Sequence, residues 1–301
     1  MKKIIASVFL IIFMLTLYYY REPLQNKFVT ITSNKQTLNN GNVNQYARGK
    51  DFNFVQITNS VEPQNKEDLY NLYYTILDGG YKTYRFYCPK EYVNCLTDVN
   101  QLSTNDELLS DMNSFVAPYN TFKELTTNYN NYRLVSITSN PAYTKEQINV
   151  IEEKITSIEN ELIKPEMNTT QKIKTIHDFI INQTIYDKDR ADRGIITYHS
   201  DIAYGPLFEG YGICSGYTDA MALFLDRWQI PNYRITSEAH VWNLVYIDGK
   251  WLHLDLTFDD PISADGRNMI NHKYFLINNA QLHDLNDGEH NFDQNIFIEP
   301  K

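Results

Sequence analysis

Basic residues are in short supply. The 301-residue chain carries 27 Lys and Arg against 37 Asp and Glu, a formal net charge of -10. A phosphate backbone or an anionic membrane surface repels such a chain, so nucleic acid is excluded as a partner. Metal motifs are missing too. The Asp-, Asn- and Gly-rich clusters at 187–194, 259–266 and 284–288 lack EF-hand spacing, and no His-Glu-x-x-His occurs. Neither a metal nor a cofactor is therefore expected. There is no internal repeat and no low-complexity tract beyond an Asn-rich stretch at 34–50, which leaves a repeat architecture without support. Hydrophobic residues make up 43%, enough to build a sizeable core and to exclude wholesale disorder.

Cysteine is scarce as well, with three copies at 88, 95 and 214. Cys88 and Cys95 are close enough in sequence to close a loop containing Pro89. The alternative is two unpaired small hydrophobes. If the two pair, Cys214 is the odd thiol, the pattern expected of a reactive one.

The N-terminus lacks polar residues. Lys2 and Lys3 precede an apolar and aromatic run from Ile4 to Tyr20, interrupted by Ser7 and Thr16 and ended by Arg21 and Glu22. No Ala-x-Ala pattern closes it and no cysteine follows, which removes a lipoprotein acceptor and weakens a cleaved signal. The run is at the short end of a membrane span, and its tyrosines suit the interface. The reading favoured here is an uncleaved anchor over residues 1–22, a membrane contact through it, and the rest of the chain at the extracellular face. A cleaved signal, which would make the protein secreted, is the alternative.

Beyond the anchor, 23–65 reads as a polar stalk and linker. From Glu67 to Leu77, Leu69, Leu72, Tyr73 and Ile76 form a helical stripe that Gly79-Gly80 stops. Tyr81–Tyr87 alternates as a strand, Asn105–Val116 fits a helix capped by Thr104 or Asn105, and Tyr132–Thr138 reads as another strand. Thr144 and Gln147 form a capping box for a helix reaching Leu162. Thr170 is the expected cap of a further helix over 171–183, with Ile173, Ile176, Phe179 and Ile180 as its buried stripe. Strands and helices mix without regular βαβ alternation, so the class is α+β.

Three segments of the last third carry chemistry. Cys214 lies in Gly210-Tyr-Gly-Ile-Cys-Ser-Gly-Tyr217, just before a helical run with Tyr217, Ala220, Met221, Phe224, Leu225 and Trp228 on its apolar stripe. A thiol at a helix start meets unpaired N–H groups and the positive end of the macrodipole, which stabilise a thiolate and can bind an oxyanion. His240 opens Val241-Trp-Asn-Leu-Val-Tyr-Ile247, a strand by composition. Asp248-Gly249 is a hairpin turn signal, and the return strand carries Asp255. A two-residue turn pairs Ile247 with Lys250. Counting back, 242 opposes 255, which leaves His240 and Asp255 on one face in diagonal positions. Taken singly, these are a buried thiol, a core histidine and a surface carboxylate. Together they are a nucleophile, a proton shuttle and the group that orients it. Tyr217 and Trp242 either shape a substrate groove or fill the core. His177 and His253 are read as packing residues, and Asp259-Asp260-Pro261 as a capped turn.

These three segments resemble the blocks of the bacterial transglutaminase-like superfamily, a branch of the papain-like cysteine enzymes. So do Lys172–Asp187 and Ala203–Gly210, so that the likeness covers roughly 165–280. The resemblance implies a catalytic domain over 164–301, with a Cys-bearing helix packed on an antiparallel sheet that bears His and Asp. More loosely, 66–163 resembles the α+β N-terminal extension that often precedes such domains. By position, Cys214 is the nucleophile, His240 the general base and acid, and Asp255 the orienting carboxylate. The activity implied is acyl transfer on amide or peptide bonds through a thioester, as peptidase, amidase or transglutaminase. The partner implied is a protein or peptide substrate, with wall peptide suggested by the expected location. The competing reading is a catalytically silent binding or cell-surface assembly module that keeps the fold.

Overall fold

A computed structural model describes residues 11–16, 18–21, 44–260 and 270–297. Helix α1 (Lys66–Asp78) is capped by the Asn65 side chain, which accepts from Asp68 N–H. It ends where Gly80 turns to φ +67°. Then follow β1 (Thr83–Tyr87), α2 (Cys95–Thr104), α3 (Asp106–Phe115), β2 (Phe122–Tyr129) and β3 (Leu134–Pro141). The three strands form an antiparallel sheet in the order β1-β3-β2. Cys88 and Cys95 are joined by a disulfide that ties the end of β1 to the start of α2.

Helix α4 (Lys145–Leu162) begins at the Thr144–Gln147 capping box and buries Ile148, Ile151, Ile155 and Ile158 on one stripe. Each such side chain removed from water contributes about 1.5–3 kcal/mol. Helix α5 (Thr169–Gln183) is capped by Asn168 through a second capping box with Gln171. The expected cap at Thr170 is thus displaced by two residues. The short strands β4 (Ile185–Tyr186) and β5 (Tyr211–Gly212) pair in parallel across helix α6 (Lys188–Arg193). Helix α7 (Cys214–Arg227) leads into β6 (Asn232–Thr236), β7 (Val241–Ile247), β8 (Lys250–Leu254) and β9 (Phe275–Ile277), an antiparallel sheet in that order. Helix α8 (Asn279–Leu285) follows.

The β7–β8 hairpin has the expected register, with Ile247 opposite Lys250 and Leu244 opposite His253. Asp248 and Gly249 both have positive φ, 51° and 80°, the conformation a two-residue turn needs to match strand twist.

This sheet divides two cores. On one face Tyr233, Ile235, Trp242, Leu244 and Trp251 pack with α1, α3 and the first sheet. On the other, Val245, Ile247 and Leu254 pack with α4, α5 and α7. Strand residues alternate between faces, so both faces of this sheet can be apolar.

Two expectations are corrected. A membrane span needs about 20 apolar helical residues, and among the described residues no helix is long and apolar enough to cross a membrane. Residues 1–10, 17 and 22 of the expected anchor lie outside the described residues. The anchor, the membrane contact through it, and the extracellular anchored address that rested on it are withdrawn. Of the stretch read as stalk and linker, 23–43 lies outside the described residues, whereas 44–65 is docked. Phe52 and Val55 enter the first core, and the Arg48 guanidinium donates to Asp226 and to Asn232.

Candidate active site

Local packing fixes Cys214 as the first residue of α7. The segment 200–202 crosses the helix start. Ile213 N–H donates to Ser200 O at 2.8 Å, and Ser215 Oγ donates to Asp201 O at 2.9 Å. The crossing is so close that a Cβ at Gly216 would sit 2.2 Å from the Ser200 carbonyl oxygen. Only glycine fits there. Ile213 offers no side-chain cap; Gly216 N–H turns back to Ile213 O at 2.9 Å, and the amides of Cys214 and Ser215 are among those a helix start leaves without internal partners.

Cys214 is the free cysteine, and it is half-buried. It lines a cleft of about 600 Å³ together with His240. The α7 start and the His240 segment form one side. Asn113, Ser114 and Phe122 of the N-terminal region form the other. Lys123 reaches across to Asp201 at 3.2 Å. Below, the Arg234 guanidinium joins Asp219 of α7 at 2.7 Å and also donates to the carbonyls of Asn113 and Val116. Tyr143 OH donates to the other Asp219 oxygen at 2.7 Å. Burial pushes the Asp219 carboxyl up against the pull of Arg234.

His240 is buried and donates through Nε2–H to Asp255 Oδ2 at 2.6 Å. The Cys214 sulfur, on the same cleft, also favours the charged form of this imidazole. Burial alone would lower the His240 pKa. The Asp255 carboxylate and the Cys214 sulfur outweigh that burial and hold it at about 10. Burial likewise works to raise Asp255, but His240 and His290 hold this carboxyl well below the usual range. Its second oxygen accepts from Thr257 N–H at 2.8 Å and Phe258 N–H at 3.2 Å.

The remaining expected residues fall elsewhere. Tyr217 and Trp242, weighed as groove residues, are fully buried and do not line the Cys214 cleft. The Tyr217 hydroxyl donates to Asp260 Oδ2 at 2.5 Å, and the Trp242 indole stacks on His240 with ring centroids 5.6 Å apart. Cys88 and Cys95 form their disulfide within the first core. His177 is enclosed between Asp178 and Asp259, at 2.9 and 3.2 Å. His253 accepts from Trp242 Nε1–H at 2.9 Å.

Two features escaped sequence reasoning. The Arg234–Asp219 pair joins residues that carry no motif. His290 reaches Asp255 Oδ2 at 2.8 Å from beyond the last resembling block.

Residues 156–256 match the family model of the transglutaminase-like superfamily. The chain is a distant match to that transglutaminase-like, papain-like class, and it has the class's α+β core of helices on an antiparallel sheet. Among solved structures it is similar to a transglutaminase at 18% identity and a TM-score of 0.33, over 48% of this chain and 47% of that one. It is also similar to a putative cysteine protease from Cytophaga hutchinsonii at 15% identity and a TM-score of 0.29, over 44% of this chain and 61% of that one. The chain thus spans less than two thirds of either. No curated protein matches.

Proposed function

We propose that this protein is a cysteine-dependent acyl-transfer enzyme acting on amide or peptide bonds, with its catalytic unit over 164–301. The observation that carries the reading is His240. It shares a cleft with the free thiol of a helix start, and its Nε2 is 2.6 Å from a buried carboxylate that raises its pKa. In the proposed reaction the Cys214 sulfur attacks the carbonyl carbon. The oxyanion meets amides of the α7 first turn. The C–N bond breaks as His240 gives its proton to the leaving nitrogen, so an amine or ammonia departs and a thioester remains. Water or an amine then attacks the thioester while His240 takes a proton from it and returns it to the departing sulfur. Asp255 fixes the ring and favours its charged form. The cleft side chains mix serine, threonine, asparagine and apolar residues with Lys123, Asp201, Asp219, Arg234 and Glu238, and the first four of these charges pair with one another, a lining that suits a polar chain such as a peptide.

Incubation of the full chain with a glutamine peptide, with and without a primary amine, tests the reading. Ammonia release that disappears in Cys214→Ala supports it. Incorporation of the amine assigns transfer, and its absence assigns hydrolysis. If Cys214 alkylates with the pH profile of an ordinary thiol, about 8.5, and His240→Ala leaves that profile unmoved, the enzyme reading fails. The silent binding module then stands.

A further inference from the structure

Asp255 is shared. Its Oδ2 accepts from His240 at 2.6 Å and from His290 Nε2 at 2.8 Å, and the two rings meet edge to face at 5.2 Å. The other nitrogen of His290, Nδ1, lies 2.9 and 3.0 Å from the two oxygens of Asp287. Both aspartates are held below the ordinary carboxylate range; burial works the other way, and His240 and His290 at Asp255, and His290 and Tyr274 at Asp287, overcome it. An ionised carboxylate can only accept. Both nitrogens of His290 thus face carboxylate oxygens, one on each aspartate side.

Its neighbour His253 faces a donor instead. Trp242 Nε1–H can only donate, so His253 Nδ1 is an acceptor, and its Nε2 donates to Asn279 Oδ1 at 2.7 Å. His253 is neutral, lowered to about 4 by burial first and by the charge of His290 as well.

We propose that His290 is a positioning residue for the Asp255–His240 pair: a doubly protonated imidazole clamped between Asp287 and Asp255. It rests on the reading of Cys214, His240 and Asp255 as the catalytic set. The clamp gives Asp255 four N–H donors, which stop the carboxylate from rotating. It also places a second positive charge beside His240. One carboxylate then divides its attraction between two cations, and His240 releases its proton more readily than it would beside an unshared aspartate. The groups facing His290 are Asp255, Asp287, His240, neutral His253, and Tyr274. Tyr274 stacks on His290 at 4.9 Å and donates its hydroxyl to Asp287. The three groups His240, Asp255 and His290 could be taken for a metal site. Ligands of a tetrahedral ion with bonds near 2.1 Å sit about 3.4 Å apart, whereas 2.6 and 2.8 Å are hydrogen-bond distances.

Histidine-selective ¹⁵N NMR of the full chain tests this, since the chain has seven histidines. At pH 7, His290 should show two protonated nitrogens and His253 one. His240 is then titrated with Cys214 capped as a methyl disulfide, in wild type and in His290→Gln, which keeps a donor to Asp255 but no charge. Two like charges 5.2 Å apart at an effective dielectric near 20 predict that the variant loses the His240 proton about two pH units higher. A merely structural His290 would not move that titration. A singly protonated His290 in wild type, or an unmoved His240 titration in a folded variant, overturns the proposal. So does displacement of the His240 and His290 signals together by added zinc. The wild-type spectrum decides even if the variant does not fold. These readouts are independent of turnover, so loss of the enzyme reading in the ammonia assay is a separate result.

Discussion

Replacing Asp255 by asparagine keeps the shape of the side chain and removes its charge. In the native site two imidazole N–H groups donate to Oδ2 and two backbone N–H groups donate to Oδ1. Asparagine has one acceptor oxygen. If that oxygen stays with Thr257 and Phe258, the amide NH₂ points at two ring N–H donors. His240 must then shed its Nε2 proton and present a lone pair, which places the remaining proton on Nδ1. The energy at stake can be read from the elevation of His240 from 6.5 to about 10, worth about 5 kcal/mol of preference for the protonated ring. With its carboxylate gone, burial holds the imidazole at or below its ordinary value, so fewer than about a quarter of molecules carry imidazolium at pH 7. The sulfur loses its cationic partner. The assay is the second-order rate of Cys214 alkylation by iodoacetamide from pH 5.5 to 9.5, followed by mass spectrometry. Wild type should react nearly as fast at pH 6 as at pH 8. Asp255→Asn should be at least about tenfold slower at pH 6 and recover by pH 9.5, where solvent base ionises the thiol. A variant profile that overlays wild type would refute the account of how the pair activates the sulfur.

Three other perturbations have defined outcomes. Arg234→Met leaves the buried Asp219 charge and two backbone carbonyls without their cation, so it should destabilise the fold by about 3–5 kcal/mol by urea unfolding. Arg234→Met with Asp219→Leu should recover part of that loss. The Asp111 carboxyl is raised from 3.8 to about 6, chiefly by burial. A group raised in the folded state favours folding while protonated, and that contribution is lost as pH rises from about 4 through 6. Asp111→Asn should accordingly raise the Tm at pH 7.5 and change it little at pH 4.5. Replacing both Cys88 and Cys95 by serine opens a loop of about eight residues, for a loss of about 2.5 kcal/mol by the chain-entropy estimate. The same variant should leave the Cys214 alkylation profile where it was, because the disulfide belongs to the other core.

Strong local signals carried well from sequence to structure. The α4 capping box, the isoleucine stripes of α4 and α5, and the Asp248-Gly249 turn each depend on neighbours within a few residues. The hairpin register followed from the turn alone, and with it the meeting of His240 and Asp255. Helix α2 was missed because Asn94 makes no side-chain cap and only Cys95, Val99 and Leu102 are buried. Strand β2 was missed because it is an edge strand whose residues are mostly exposed, so its apolar alternation is faint. The cap of α5 was misplaced because Asn168, Thr169 and Thr170 are all capable caps, and only the position of Gln171 selects Asn168. His290 was not legible: its two carboxylate partners identify it, and Asp255 stands 35 positions away. The apolar run at the N-terminus was read from hydrophobicity alone, and among the described residues no helix is long and apolar enough to cross a membrane.

The shared sheet has a consequence for anyone who would trim this protein. A fragment begun at residue 164 would keep Cys214, His240 and Asp255 yet strip the cover from Tyr233, Ile235, Trp242, Leu244 and Trp251, all buried in the whole chain. That is a bare aromatic panel, the kind of surface on which copies stick to one another. His240 rests on the edge of the panel through Trp242. The proposed chemistry belongs to one half of the chain, but part of the cover over the sheet that carries its histidine comes from the other half.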